Sequence, residues 1–174
     1  MTALGSLDLV PAAGRMDLLA GAVARAAADM TDVLVTEIDP TLADTAAMCE
    51  AYGVDRAVSA NCVVVAGARG GITRYAACVV LATTRADVNG VVRKRLDVRK
   101  ASFAPMDEAV RLTGMEYGGI TPVGLPAEWL LLVDEAVAAT PQVVVGSGLR
   151  RSKLVLPGAA VGALPGAEVL PLTR

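Results

Sequence analysis

The strongest constraint on the fold is a pair of apolar, β-branched runs separated by a short glycine turn. The runs cover residues 61–68 and 73–83, and the residues between them include Arg-Gly-Gly at positions 69–71. This arrangement predicts a β-hairpin. Residues 62–66 are apolar without alternation, which favours a strand that is buried on both faces.

Helical and strand patterns alternate along the rest of the chain. Apolar spacing predicts a helix at residues 16–30, followed by a strand at residues 33–38. A second helix is bracketed by Thr41 as N-cap and Gly53 just past its end. Further helices are predicted at residues 88–96, 105–112 and 159–163, and strands at residues 101–103, 130–133, 143–145, 154–156 and 168–170.

These elements indicate a single α+β domain over residues 1–174, in which residues 1–40 form an N-terminal helix and strand extension. The chain is long enough for one core of ordinary size and too short for two. We expect a mixed, largely antiparallel sheet with flanking helices, and residues 61–66 as its central strand.

The absence of histidine excludes many kinds of active site. Ser-His-Asp and Cys-His nucleophilic systems, His-ligated metal sites and zinc deaminases all need this residue. The cysteines at positions 49, 62 and 78 form no CxxC motif, so we expect reduced, buried thiols. No metal and no cofactor are predicted, and any hydrolysis must depend on backbone dipoles, carboxylates, hydroxyls, water or the substrate itself.

Charge and hydropathy narrow the expected location and partners. Uncharged apolar runs stay below the roughly 18 residues that a membrane helix needs, and no basic segment precedes an apolar stretch at the start. We therefore expect a cytoplasmic protein without a membrane partner. With a net charge of −2, the basic clusters at residues 93–100 and 150–153 are either solvated faces or weak contacts for phosphates.

The loop at residues 113–126, TGMEYGGITPVGLP, has an unusual density of glycine and proline. Its four glycines can adopt positive φ and turn successive N–H groups toward one point. Pro122 favours an extended Thr121 and stiffens the exit of the loop. Such a loop is suited to hold a carbonyl, carboxylate or phosphate oxygen, or to stabilise an oxyanion. The alternative is a plain surface connection.

This loop resembles the GxxxP substrate loop of the YbaK/ProX family of trans-editing aminoacyl-tRNA deacylases, which is related to the editing insertion of prolyl-tRNA synthetases. The shared residues are Thr113-Gly114, the GGITP run at residues 118–122, and Gly124. The similarity extends in family order from about residue 41 onward. It implies an enzyme that hydrolyses the ester of a mischarged tRNA carrying a small amino acid, with selection by size. The implied partners are a tRNA acceptor end and an aminoacyl-tRNA synthetase.

The resemblance also implies roles for individual residues. Gly118 and Gly119 would bind the acyl carbonyl through backbone N–H groups, and Thr121 would order water or ribose, which makes these three the candidate catalytic residues. The candidate substrate-binding residues are Ala60, Asn61, Ile120, Pro122, Asp134 and Ser147. From residue type alone, the preferred role of Asp134 is that of an N-cap, and Ser147 either binds a ligand or shapes a turn.

One position departs from the family pattern. Family members carry a lysine near the start of the first pocket strand, where this chain has Ala60, and Asn61 beside it should face the opposite way. Because a lysine supplies a movable cation with three donors, its loss predicts poor turnover of alanyl- or cysteinyl-tRNA of the proline type. The alternative is a binding module for aminoacyl-tRNA or amino acid that has lost hydrolysis. Arg93 or Arg95 is the candidate replacement cation.

Overall fold

A computed structural model describes residues 2–174 of the chain, which form two β-sheets with short helices around them. The strands are β1 (Val10–Pro11), β2 (Leu34–Glu37), β3 (Ala60–Arg69), β4 (Ile72–Leu81), β5 (Ser102–Phe103), β6 (Leu130–Asp134), β7 (Val143–Gly146), β8 (Ser152–Leu156) and β9 (Ala167–Leu170). The α-helices are α1 (Gly21–Ala27), α2 (Thr45–Tyr52), α3 (Arg93–Leu96), α4 (Met106–Thr113), α5 (Glu135–Ala138) and α6 (Gly158–Gly162). Short 3-10 turns occur at Ala12–Gly14, Met16–Leu18, Pro40–Leu42 and Arg56–Val58, and a π-helical turn at Val88–Val92 leads into α3.

The two sheets differ in their strand directions. The smaller sheet, in the order β1-β2-β8-β7, is antiparallel throughout. The larger sheet, in the order β5-β3-β4-β6-β9, is antiparallel from β5 to β4 and parallel from β4 to β9. A parallel bridge between Ser59 and Val144 brings the start of β3 beside β7. The predicted α+β class and largely antiparallel pairing are confirmed, although the strands form two sheets rather than one.

The predicted hairpin is present and is the longest pairing in the structure. Strands β3 and β4 pair from Ala60 opposite Leu81 to Arg69 opposite Ile72. Gly70 and Gly71 make the turn with φ values of 58° and 77°. The expectation that residues 61–66 are central is wrong, because β4 occupies the middle of the sheet and only the two-residue β5 lies beyond β3.

The main core lies between the two sheets, and a second apolar cluster covers the outer face of the larger sheet. Ala60 and Val64 belong to the first cluster, whereas Val65 belongs to the second and Val63 packs against it. Both faces of β3 are therefore covered, as its uninterrupted apolar run predicts.

Two predicted helices are shorter than the sequence pattern suggests. The predicted helix at residues 16–30 is interrupted before Gly21, because the Ala20 N–H donates to the Ser147 carbonyl at 3.2 Å. Helix α2 begins after Asp44, whose carboxylate accepts the N–H groups of residues 46 and 47, and not after Thr41. It ends at Gly53 with φ 69°, as predicted. Among residues 2–174 no helix is long and apolar enough to cross a membrane.

Candidate active site

A cavity of about 270 Å³ opens where loop 113–126 meets β3 and β8. Its walls come from the turn before α2, the start of β3, the start of α4, the loop, and the facing ends of β7 and β8. Most of the wall residues are small or apolar, and the polar side chains among them are Asp44, Thr45, Asn61 and Lys153. The site is thus a small apolar pocket with a few polar groups, an arrangement typical of small-ligand sites.

Backbone contacts seat the loop directly on the end of β7. The Gly148 N–H donates to the Gly119 carbonyl at 2.7 Å, and the Glu116 N–H donates to the Gly148 carbonyl at 2.8 Å. A Cβ atom on Gly146 would lie only 2.6 Å from the Gly119 oxygen and 2.7 Å from the Ile120 oxygen. Glycine at position 146 therefore allows a close backbone approach that fixes the height of the loop above the cavity.

The loop offers two backbone donors at the cavity. Gly118 has φ 79° and lines the cavity together with Ile120, and within residues 2–174 the N–H groups of both lack a hydrogen-bond partner. The Gly119 N–H, in contrast, donates to the Glu116 carbonyl at 2.9 Å. The prediction that the Gly119 N–H binds the substrate is therefore wrong, because this N–H already closes the loop turn.

Arg150 clamps the loop from outside. Its guanidinium donates to the Tyr117 carbonyl at 2.9 Å and to the Pro40 carbonyl at 3.0 Å. Its backbone N–H donates to the Glu116 carboxylate at 2.9 Å, and its charged group lies 5.7 Å from the centre of the Tyr117 ring. One side chain thus connects the loop to the 3-10 turn that precedes α2.

Replacing Arg150 by alanine should loosen this loop more than it destabilises the fold. The contacts are exposed, so we expect a loss of about 1 kcal/mol in the free energy of unfolding. Faster hydrogen exchange at residues 116–120 should accompany that loss. Arg151→Ala is the matched control, because the Arg151 side chain donates instead to the Asp17 carbonyl at 2.7 Å. Equal exchange rates in the loop of both variants would contradict the clamp.

The first residues of β3 contribute to the cavity from opposite faces of the strand. The Thr45 hydroxyl donates to the side-chain oxygen of Asn61 at 2.6 Å, which holds Asn61 toward α2. Ala60 is buried in the core between the sheets, yet it also lines the cavity. The opposite orientation of these neighbours follows the alternation expected of a strand.

Lys153 was predicted only as part of a basic cluster that is either a solvated face or a weak phosphate contact, and its position at the cavity was missed. It lies in β8, is only 5% exposed, and lines the cavity. Its Nζ donates to the Ala43 carbonyl at 2.8 Å. Burial lowers the pKa of Lys153, and the neighbouring Asp44 opposes that shift. The available signal was a single lysine inside the otherwise apolar end of the segment SKLVL.

The predicted replacement cations are wrong. Arg93 donates its Nε–H to the Asn89 carbonyl at 2.8 Å, and Arg95 forms an ion pair with Glu168. Neither residue lines the cavity. The helix that carries them packs against the opposite face of the larger sheet, where Leu96 belongs to the outer cluster.

Five of the predicted site residues do not line the cavity: Gly119, whose N–H closes the loop turn, and Thr121, Pro122, Asp134 and Ser147. Asp134 is 3% exposed and its carboxylate accepts the N–H groups of Ala136 at 3.1 Å and Leu172 at 2.8 Å, so it caps α5. The Ser147 hydroxyl lies 2.7 Å from the Ser152 hydroxyl and shapes the turn between β7 and β8. Thr121 is fully buried, and Pro122 lines a separate cavity beside Trp129. Asp134 and Ser147 thus have structural contacts, whereas the buried Thr121 hydroxyl has no hydrogen-bond partner within residues 2–174. The ligand contacts predicted for these residues stay predictions.

Cys62 and Cys78 are poorly suited to act as nucleophiles at neutral pH. Cys62 lines the cavity, but burial, with a smaller contribution from Cys78, raises the pKa of its thiol far above the usual range. Burial raises the pKa of Cys78 to about 12. Because the thiolate is the reactive form, the Cys62 thiol acts as an apolar wall group.

Comparisons with known proteins bear on the family and the fold. The sequence profile of the aminoacyl-tRNA editing domain family matches residues 39–163. No curated protein sequence matches the chain significantly. Two of the similar solved structures are a proposed trans-editing enzyme for prolyl tRNA synthetase and the hypothetical protein APE2540. The first has a TM-score of 0.75 and 23% identity, with 89% of this chain and 96% of that chain covered. The second has a TM-score of 0.70 and 23% identity, with 80% and 90% covered.

At such low identity the solved structures establish the fold, and the profile match over most of the chain establishes the family. That match includes every residue that lines the cavity. The chain belongs to the aminoacyl-tRNA editing domain family.

Proposed function

We propose that this protein hydrolyses the ester of a mischarged tRNA that carries a small amino acid, such as alanine or cysteine on the proline tRNA. The observation that carries the proposal is the small cavity lined by Gly118 and Ile120, whose N–H groups have no hydrogen-bond partner within residues 2–174. A volume of about 270 Å³ favours a small aminoacyl group and disfavours a bulky one. A second sieve of this kind is useful where a synthetase cannot reject a near-isostere by binding alone.

The proposed chemistry needs no protein nucleophile. The acyl carbonyl oxygen accepts hydrogen bonds from the Gly118 and Ile120 N–H groups, which stabilise the negative charge that develops on it. A water molecule attacks the carbonyl carbon, and the bond from that carbon to the ribose oxygen breaks. The proton that the water loses passes to the leaving ribose oxygen, which becomes a hydroxyl. The products are a free amino acid and an uncharged tRNA. Backbone donors suit this reaction because they are held in position before the charge appears.

Two exposed aromatic side chains support a nucleic-acid partner at this site. Phe103 is 65% exposed and lines the cavity, and Tyr117 is 60% exposed beside Gly118. Exposed aromatic rings offer stacking surfaces to unpaired bases such as those at a tRNA end. Arg150 adds a positive charge next to Tyr117. We infer a local, weak contact with the acceptor end, as a chain of net charge −2 favours.

The alternative function is a binding module for aminoacyl-tRNA or a free amino acid that does not hydrolyse the ester. The observation in its favour is Ala60, which stands where the family pattern has a lysine. Binding without turnover would suit a regulatory role.

A panel of aminoacylated tRNAs separates the two functions. We expect multiple turnover of alanyl- and cysteinyl-tRNA, and at least tenfold slower hydrolysis of phenylalanyl-tRNA, because even one excess methylene costs roughly 10- to 200-fold in selectivity. Release of labelled amino acid is the measurement. Saturable binding without release would support the binding module. If the protein neither releases the amino acid nor binds the tRNA, the proposal is wrong.

A further inference from the structure

Lys153 lies in the part of β8 that faces the candidate active site. Strand β8 is paired on both sides, and the register places Lys153 opposite Thr36 of β2 and Gly146 of β7. Thr36 is buried, and Gly146 is a wall residue of the cavity that has no side chain. On the β7 side of Lys153 the place of a neighbouring side chain is taken by the loop backbone, because a Cβ atom on Gly146 would lie 2.6 Å from the Gly119 oxygen. The lysine itself lines the cavity.

The ammonium group of Lys153 is incompletely satisfied. A lysine has three donors, and within residues 2–174 the hydrogen-bond partner of Nζ is the Ala43 carbonyl at 2.8 Å. No carboxylate of the described residues lies within ion-pair distance of Nζ, and Asp44 acts only from farther away. A buried charge with spare donors and no ion pair is costly to the fold. A packing role alone would be served better by a methionine or leucine.

Lys153 lines the cavity in which, on the proposed function, an ester and a ribose would be bound. Ala60 lines the same cavity from β3, so a cation reaching in from β8 occupies the pocket that a lysine at position 60 would enter. Ester carbonyl and ribose hydroxyl oxygens both accept hydrogen bonds from an ammonium group.

We infer that Lys153 is a substrate-binding residue, whose ammonium group holds an oxygen atom of the aminoacyl ester or its ribose and replaces the cation that Ala60 does not supply. This inference rests on the proposed function and deepens it. It also changes the expectation drawn from Ala60, because the cavity has a cation and hydrolysis does not require a lysine on β3.

The first test compares Lys153→Met with Lys153→Arg in single-turnover deacylation of alanyl-tRNA. We expect kcat/KM to fall roughly 10- to 100-fold in the methionine variant, as for loss of one charge-assisted contact, and to recover in part with arginine. Lys94→Met is the matched control, because Lys94 is exposed on α3 and should leave turnover unchanged.

Thermal stability separates binding from a purely structural role. Removing a buried and incompletely paired charge should leave the Tm of Lys153→Met unchanged or raise it. Lower activity together with a lower Tm and altered circular dichroism would contradict the inference, and so would wild-type kcat/KM in a folded variant.

The pH dependence of stability offers a second readout. Burial lowers the pKa of Lys153 from its ordinary value of 10.5, Asp44 and Cys49 oppose that shift, and Arg150 adds to it. Between the lowered pKa and 10.5 the unfolded chain binds more protons at this lysine than the folded chain does. The free energy of unfolding therefore gains a contribution that rises with pH in this window. Lys153→Met should lack that rise.

Moving the lysine from β8 to β3 tests whether an ammonium group at position 60 can take over the role of Lys153. Ala60→Lys in the Lys153→Met background should restore at least part of the lost turnover. In the wild-type background it should give no gain, because two ammonium groups in one small cavity repel each other. A large gain in the wild-type background together with none in the double variant would overturn the inference.

A non-hydrolysable probe keeps this inference separate from the proposed function. Adenosine with alanine attached through a 3′-amide in place of the ester retains the relevant oxygen atoms. Wild-type protein should bind it, and Lys153→Met should bind it at least tenfold more weakly. If wild-type protein binds the probe and hydrolyses no tRNA, the enzyme assignment fails while the role of Lys153 stands. Equal affinity in both proteins would refute the role of Lys153 alone.

Discussion

Replacing Gly118 by alanine should reduce kcat/KM for alanyl-tRNA by about tenfold to a hundredfold. At φ 79° an added Cβ atom would lie 2.8 Å from Nη1 of Arg150, so the guanidinium must move away from the Tyr117 carbonyl. The strained backbone and the displaced clamp together shift the Gly118 N–H, one of the two free donors at the cavity. Loss of one donor to a developing oxyanion typically costs 10²- to 10³-fold in rate, and a partial displacement costs about an order of magnitude less.

Gly114→Ala is the matched control for backbone strain. Gly114 has φ 69°, a Cβ atom added to it would meet no neighbouring atom within 4 Å, and it does not line the cavity. Both variants should lose about 1–2 kcal/mol of stability from an alanine in the left-handed region. Only Gly118→Ala should lose turnover, as measured by single-turnover kinetics at a temperature where both variants are folded. Equal losses of activity would show that strain alone is responsible and that the donor role is wrong.

Replacing Asp134 by asparagine should lower the stability of the fold strongly and leave turnover almost unchanged. The buried carboxylate accepts two backbone N–H groups, those of Ala136 and Leu172, and an amide cannot accept both as strongly. Charge-assisted hydrogen bonds contribute about 1.5–3 kcal/mol each, so we expect a loss of about 2–3 kcal/mol. For a chain of this length that corresponds to a Tm lower by roughly 4–12 °C, measurable by calorimetry.

The activity of the folded Asp134→Asn variant distinguishes its two predicted roles. Because Asp134 does not line the cavity, kcat/KM at low temperature should stay within about twofold of wild type. Asp55→Asn is the control, since Asp55 is an exposed cap that accepts the Ala57 N–H at 2.8 Å. It should cost at most about 1 kcal/mol. An Asp134 variant with normal stability and impaired turnover would favour the substrate contact instead.

Local chemistry made the hairpin and the C-terminal end of α2 predictable. Gly70 and Gly71 provide the turn between two β-branched runs, and Gly53 provides the left-handed residue that ends α2. The division into two sheets was not predictable in the same way. Sequence patterns identify strands, whereas pairing such as that of β2 with β8 joins residues more than a hundred positions apart. The shortened first helix has the same cause, because its Ala20 N–H bonds to a distant turn.

Part of the candidate site was likewise predictable from the sequence, and part of it was not. The glycines of the loop were recognised because their backbone requirements are visible in the sequence. Lys153 was missed because the family pattern places its lysine at the position of Ala60, and a pattern of this kind describes one strand only. Ala60 and Lys153 line the same cavity, although Lys153 lies about ninety residues further along the chain. Only the spatial arrangement connects the two positions.

The pairing of β2 with β8 bears on how small a working version of this protein can be. Strand β2 lies before residue 39, where the family match begins, and β9 lies after residue 163, where it ends. A chain trimmed to the matched residues would leave β8 with one unpaired edge and remove the parallel neighbour of β6. Unpaired edges recruit other chains, so such a fragment would tend to associate. The segment by which the family is recognised is therefore smaller than the unit that can be expected to fold and keep Lys153 in place.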